Sequence, residues 1–210
     1  MTFKITHLLT FVLAVLALFL VPGPAVLLTL TQSMRGGRKV GLATSLGIAL
    51  GDGVHTIMAV LGLSAVLMTS AAAFSLVKYA GAAYLLYLGV RAWIEPSVSI
   101  APIDVQPVDT RSAFRQALLT EVLNPRTALF FLAFLPQFVH PAYGPVPLQL
   151  LMLGLIFVML SIGYTSLLVL AAGSLGPWLM QHAGIARWQG KMTGSVYIGL
   201  GIRLALQQRT

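Results

Sequence analysis

The sequence predicts an all-α membrane protein of six transmembrane helices, arranged as two inverted three-helix repeats with the first and fourth helices broken. Three observations carry this prediction. Of the 210 residues, 58% are hydrophobic and only 9% charged. A soluble domain carries about a quarter charged residues, so the polar surface needed in water is missing. Six apolar stretches, each about as long as a bilayer-crossing helix, fill most of the chain. Finally, a motif in the third stretch recurs in the sixth.

The first stretch runs from about Leu8 to Thr31, interrupted at Pro22-Gly23-Pro24. With Lys4 ahead of it, His7 to Val21 has the outline of a secretory leader. No small-residue cleavage site follows and apolar sequence resumes, so it reads as a retained span. The second stretch, about Val40 to Met68, is rich in glycine, and the third covers about Ala71 to Trp93. A polar linker, about residues 95–112, carries Pro96, Pro102 and Pro107 and divides repeat one (about 1–94) from repeat two (about 113–210) of a single transmembrane domain. The fourth stretch spans about Phe114 to Val139, interrupted at Asn124-Pro125. The fifth spans about Leu148 to Leu175 and the sixth about Met192 to Leu206. None shows the two-residue alternation of a membrane barrel strand.

The third stretch reads Lys78-x-x-Gly81-x-x-Tyr84 and then Gly89-x-Arg91; the sixth reads Lys191-x-x-Gly194-x-x-Tyr197 and then Gly201-x-Arg203. The first span of each half is also broken by proline, at Pro24 and Pro125. Two matches at corresponding places favour duplication over chance recurrence of interface glycines and belt tyrosines. A unit of three crossings must be followed by a copy of opposite orientation, which is the inverted repeat of many secondary transporters. Arg35, Arg38 and Lys39, then Arg91, Arg111 and Arg115, then Arg187 and Lys191 flank loops on one side, while residues 69–75 and 136–147 hold no Lys or Arg. The positive-inside rule places both termini on the periplasmic side and the linker in the cytosol.

The net charge of +8 is spread over these span ends and forms no patch for nucleic acid. Absent cysteine removes disulfides, thiolate metal sites and electron transfer through thiols. No Gly-x-Ser-x-Gly, His-Glu-x-x-His or paired catalytic aspartates point to an enzyme, and no cofactor is expected.

Five acids exist, and three of them, Glu95, Asp104 and Asp109, fall in the linker. Asp52 lies deep in span two. A carboxylate there costs roughly 2.5–3.5 kcal/mol even on lenient scales, so such residues usually line a pathway. Glu121, nearer an interface and close in sequence to Arg115 and Arg126, admits a functional and a structural reading alike. His55 follows Asp52 by three residues and shares its helix face. It is open to a proton-relay role or to a plain packing hydrogen bond. Asp52 and His55 alone supply too few ligands for a metal site.

The breaks matter more than any single acid. Unwound backbone survives at membrane depth only where it lines a cavity or is buried in protein. Pro22 and Pro24 remove two N–H donors from span one, and Gly23 permits an unusual backbone conformation and close approach. Asn124 is biased away from helix by Pro125. Each break starts a new helix with free N–H groups and a positive dipole end. Two such ends brought together suit a carboxylate, whereas simple kinks are the plainer alternative.

Several of these segments together resemble the lysine exporter (LysE/RhtB) family. They are Val21-Pro22-Gly23-Pro24, Gly47-x-x-x-Gly51-Asp52, Gly81-Ala82-Ala83-Tyr84-Leu85 with Leu88-Gly89, and Leu123-Asn124-Pro125-Arg126-Thr127-Ala128 followed by Phe134-Leu135-Pro136-Gln137-Phe138. The resemblance covers nearly the whole chain. It implies a multi-pass protein of the bacterial inner membrane that exports amino acids, small neutral or hydroxy ones before basic ones, in exchange for protons. Arg126 departs from the family's more frequent lysine while keeping the charge, and Glu121 is not expected to be acidic throughout the family. On this reading Pro22, Gly23, Pro24, Asp52, Asn124 and Pro125 bind substrate, and Asp52, His55 and Glu121 are the candidates for proton coupling. The expected partners are the amino acid, protons and lipid, with a second copy of the chain as the candidate protein partner. The rival reading is an ion or metal efflux protein or channel of the same fold.

Overall fold

The computed structural model describes residues 5–19, 23–64, 71–94, 108–181, 191, 194–195, 197–199, 201–202 and 205–206, and no strand occurs among them. Pro22, most of the central linker and both chain ends lie outside the described residues. Helix α1 (Ile5–Phe19) has 15 residues, about 22 Å of helix, short of the roughly 30 Å hydrocarbon core. The chain then breaks and restarts as α2 (Pro24–Met58), with Pro24 at the first helical position, where its missing N–H has no intrahelical partner to lose.

Although α2 is helical by hydrogen bonding from end to end, it is two segments. Gly37 has φ 70° and ψ −170°, backbone that only glycine adopts without strain. A Cβ on Gly41 would collide with the Ser33 hydroxyl eight residues earlier, so the chain doubles back at Gly37. Arg35, Arg38 and Lys39 cluster at this hairpin tip. The returning segment carries Asp52 and His55 and passes through a π-turn at Ala59–Leu63. Wider turns of this kind are frequent near functional sites, and no sequence signal announced it.

Helix α3 (Ala71–Ile94) follows. Helix α4 (Thr110–Val122) begins inside the expected linker, because the Asp109 side chain accepts from the backbone N–H of Arg111 (3.1 Å) and Ser112 (3.2 Å), a standard helix start. Helix α5 (Pro125–Ala133) continues α4 after the expected break, and the pair is bent by 46°. Short 3₁₀ turns at Leu135–Phe138 and Pro141–Tyr143 lead to α6 (Val146–Gln181). Gln149 is fully buried and holds that connection, donating to the His140 (2.9 Å) and Gly144 (2.8 Å) carbonyls. The described residues from 191 to 206 are also helical.

Glycines set the packing directions. Cβ atoms on Gly47 and Gly51 would press on Ala117 (2.9 Å) and on the Glu121 Cβ (2.6 Å), so the returning segment of α2 runs parallel to α4. This is the small-residue contact through which membrane helices approach closely. Gly41 faces Val169 while Thr56 faces Gly154, so α2 and α6 are antiparallel. A Cβ on Gly89 would stand 2.9 Å from the Gly194 carbonyl oxygen and one on Gly201 3.1 Å from that of Ala82, so α3 and the 191–206 stretch are antiparallel as well.

The outer surface is apolar, and the largely apolar interior also holds several polar side chains. Leu46, Leu50 and Ile57 on α2 and Leu155, Met159 and Leu167 on α6 point outward, while Thr29, Thr44, Asp52, Glu121, Ser161 and Thr165 are buried. That distribution suits a lipid surround. At one end the interior closes over packed phenylalanines: Phe130–Phe134 tilted at 4.9 Å, and Phe131–Phe157 at 5.0 Å and Phe11–Phe138 at 5.2 Å edge-on, between ring centroids.

Candidate functional site

The break between α1 and α2 and the break between α4 and α5 face the same cavity. It encloses about 460 Å³ including its open mouth, and Gly23, Asp52, Glu121, Asn124 and Arg126 all line it. The close α2–α4 contact through Gly47 and Gly51 lays Glu121 directly beside Asp52. Each of the two acids is 2% exposed.

Glu121 is the better satisfied of the pair. Its carboxylate accepts from the Thr127 hydroxyl (2.5 Å) and from the Asn124 amide (3.3 and 3.2 Å to the two oxygens). Asn124 meanwhile caps α5, its carbonyl oxygen accepting from the Arg126 backbone N–H at 3.0 Å. One side chain therefore ties the helix break to the buried acid. On Asp52, the Glu121 carboxyl and the Ser161 hydroxyl adjoin the carboxyl, and Oδ2 has no hydrogen-bond partner. A buried carboxylate oxygen facing a cavity without a partner is costly, and a bound cation would relieve that cost.

His55 is buried and absent from the cavity wall. Its Nε2 lies 2.9 Å from the Glu121 backbone oxygen, and since a carbonyl can only accept, Nε2 carries the proton and donates. That carbonyl, in the last turn of α4, also accepts from the Asn124 backbone N–H at 3.0 Å. His55 here makes the packing hydrogen bond that the sequence left open.

Gly23 departs from expectation in its reason rather than its place. Its φ of −104° and ψ of −177° are extended backbone that any residue adopts. What glycine supplies is space: a Cβ there would stand 2.5 Å from a guanidinium nitrogen of Arg126. Pro24 and Pro125 start their helices without lining the cavity, and Pro22 lies outside the described residues. The N-terminus of α2 has no side-chain cap, and Ala25 and Val26 of its first turn line the cavity.

Sequence reasoning did not pick out Arg126, Thr127, Ser161, Tyr164 and Thr165. Arg126 donates to the Leu18 carbonyl at the end of α1 (2.6 Å) and lies over the Tyr197 ring, 5.2 Å from its centroid. A charge one residue past the Asn-Pro break was the available signal. Ser161 and Thr165 stand four apart in a mostly apolar helix, which puts both on one face. Leu18, Phe19, Val26, Ile48 and Phe157 complete the wall with apolar surface.

A family model described as LysE type translocator matches residues 16–208. An uncharacterised membrane protein of Pseudomonas aeruginosa is 35% identical over 97% of each chain. One of Bacillus subtilis is 32% identical over 89% of this chain and 92% of its own. A leucine efflux protein of Salmonella typhimurium is 28% identical over 95% of this chain and 94% of its own. No solved structure matches.

Proposed function

The chain belongs to the LysE type translocator family, and from that premise we propose that it exports small neutral amino acids across the bacterial inner membrane in exchange for protons. The observation that carries this reading is the meeting of both helix breaks and both buried acids on one cavity. The site has an anion-favouring side at the uncapped start of α2 and a cation-favouring side at the free oxygen of Asp52. Those are the requirements of a zwitterion, whose ammonium faces Asp52 and whose carboxylate lies near the breaks. Walls of Leu18, Val26, Ile48 and Phe157 favour an aliphatic side chain over a charged one. The similarity to a leucine efflux protein supports the same choice.

Proton exchange rests on Asp52 and Glu121, adjacent carboxyls that can bind and release a proton as a unit. Substrate ammonium and proton would then compete for Asp52, so that each leaves as the other arrives. The fold reading is six spans in two inverted repeats. The parallel course of α2 and α4, and the antiparallel courses of α2 and α6 and of α3 and the 191–206 stretch, support it. The basic hairpin tip at Gly37 would face the cytosol and both termini the periplasm.

Counterflow in proteoliposomes against a panel of all amino acids tests the function. Leucine and other neutral aliphatic residues loaded inside should drive uptake of labelled leucine, and lysine should not. A protein that counterflows only cations such as lysine or inorganic ions would overturn the assignment.

A further inference from the structure

The structure assigns to Arg126 the role of carboxylate anchor, seated across the first helix break in the space that Gly23 leaves open. This deepens the proposed function and rests on it. The guanidinium stands between two helix ends. It donates to the Leu18 carbonyl at the C-terminal end of α1 and touches the position a Gly23 Cβ would fill, at the N-terminal end of α2. It also lines the cavity that holds the unpartnered oxygen of Asp52. A planar guanidinium presents paired donors that match a carboxylate, and Ala25 and Val26 of the uncapped first turn of α2 line the same cavity. Asp52 lines the same cavity, so the two ends of an amino acid are recognised there by groups of opposite charge. The Leu18 carbonyl and the face of Tyr197 hold the guanidinium in position. Gly23 is thus a specificity residue through its missing side chain.

The test separates recognition from a merely structural staple between Arg126 and α1. Counterflow of labelled leucine is competed with leucine and with leucinamide, which lacks the carboxylate. Wild type should prefer the acid. Arg126→Gln should reduce that preference about ten- to hundredfold, the range for a hydrogen bond to a charged group, and Arg126→Lys should restore part of it. Gly23→Ala keeps the arginine but pushes its guanidinium aside, and should mimic Arg126→Gln. The double variant should add little to either alone. A structural role would lower the amount of folded protein and the rate while leaving the acid-over-amide ratio unchanged, and that result overturns the assignment but not the transport function. A wild type that moves no carboxylate-bearing substrate overturns both.

Discussion

In the proposed function, Asp52 joins the recognition and coupling roles in one side chain. Replacing it by Asn keeps size and hydrogen bonding but removes ionisation, so Asp52→Asn should insert and fold yet fail to build a leucine gradient against a pH difference. Counterflow should also fall to background if the ammonium binds there, and should persist if Asp52 carries only the proton. Gradient formation equal to wild type would return Asp52 to a structural role. The acid was legible because charge at bilayer depth is expensive. Its pairing with Glu121 was not, because it depends on which face of α2 meets α4, and Gly47 and Gly51 decide that only in three dimensions. Arg126 was hidden for a similar reason. In sequence it is one more basic residue near a span end, and only its bond to Leu18, 108 positions away, places it at the site.

At the scale of elements, punctuation residues were the most informative letters. Pro24 and Pro125 each begin a helix as expected, and Asn124 caps the second. Gly37 ends one segment of α2 and starts the next, which is why a 40-residue apolar helix from Pro24 to Leu63 is two elements rather than one. The start of α4 was misjudged, since the proline-rich linker drew attention away from the cap at Asp109. The hairpin at Gly37 collects Arg35, Arg38 and Lys39, whereas the connection through Pro141–Tyr143 has no Lys or Arg. The native chain has no cysteine, so single cysteines report sidedness without background. In intact cells an impermeant thiol reagent should label Ala142→Cys and spare Arg38→Cys. Labelling of the second and not the first would reverse the topology.

The described residues form an apolar core in which several polar side chains are buried, under an apolar outer surface, with a cavity where the two helix breaks meet. That an all-helical membrane protein would form was legible from composition. The duplication inferred from the Gly-x-Arg motifs stays a proposal, but Gly89, Gly194 and Gly201 do pack the third and sixth stretches together. Which side chains line the cavity was not legible, because Ser161, Tyr164 and Thr165 reach it from α6, whose helix direction and rotation no local pattern encodes. Phenylalanines packed at tilted and edge-on angles close one end, and in the proposed function they must part for substrate to pass, with the proton supplying the free energy for uphill export. The most direct measurement is leucine uptake into proteoliposomes under an imposed pH gradient, acidic inside, with equal leucine on both sides at the start. The account predicts accumulation of leucine inside as protons leave, collapse of the gradient when a protonophore is added, and no accumulation at equal pH. Leucine distribution that stays at equilibrium whatever the pH difference would contradict proton-coupled export.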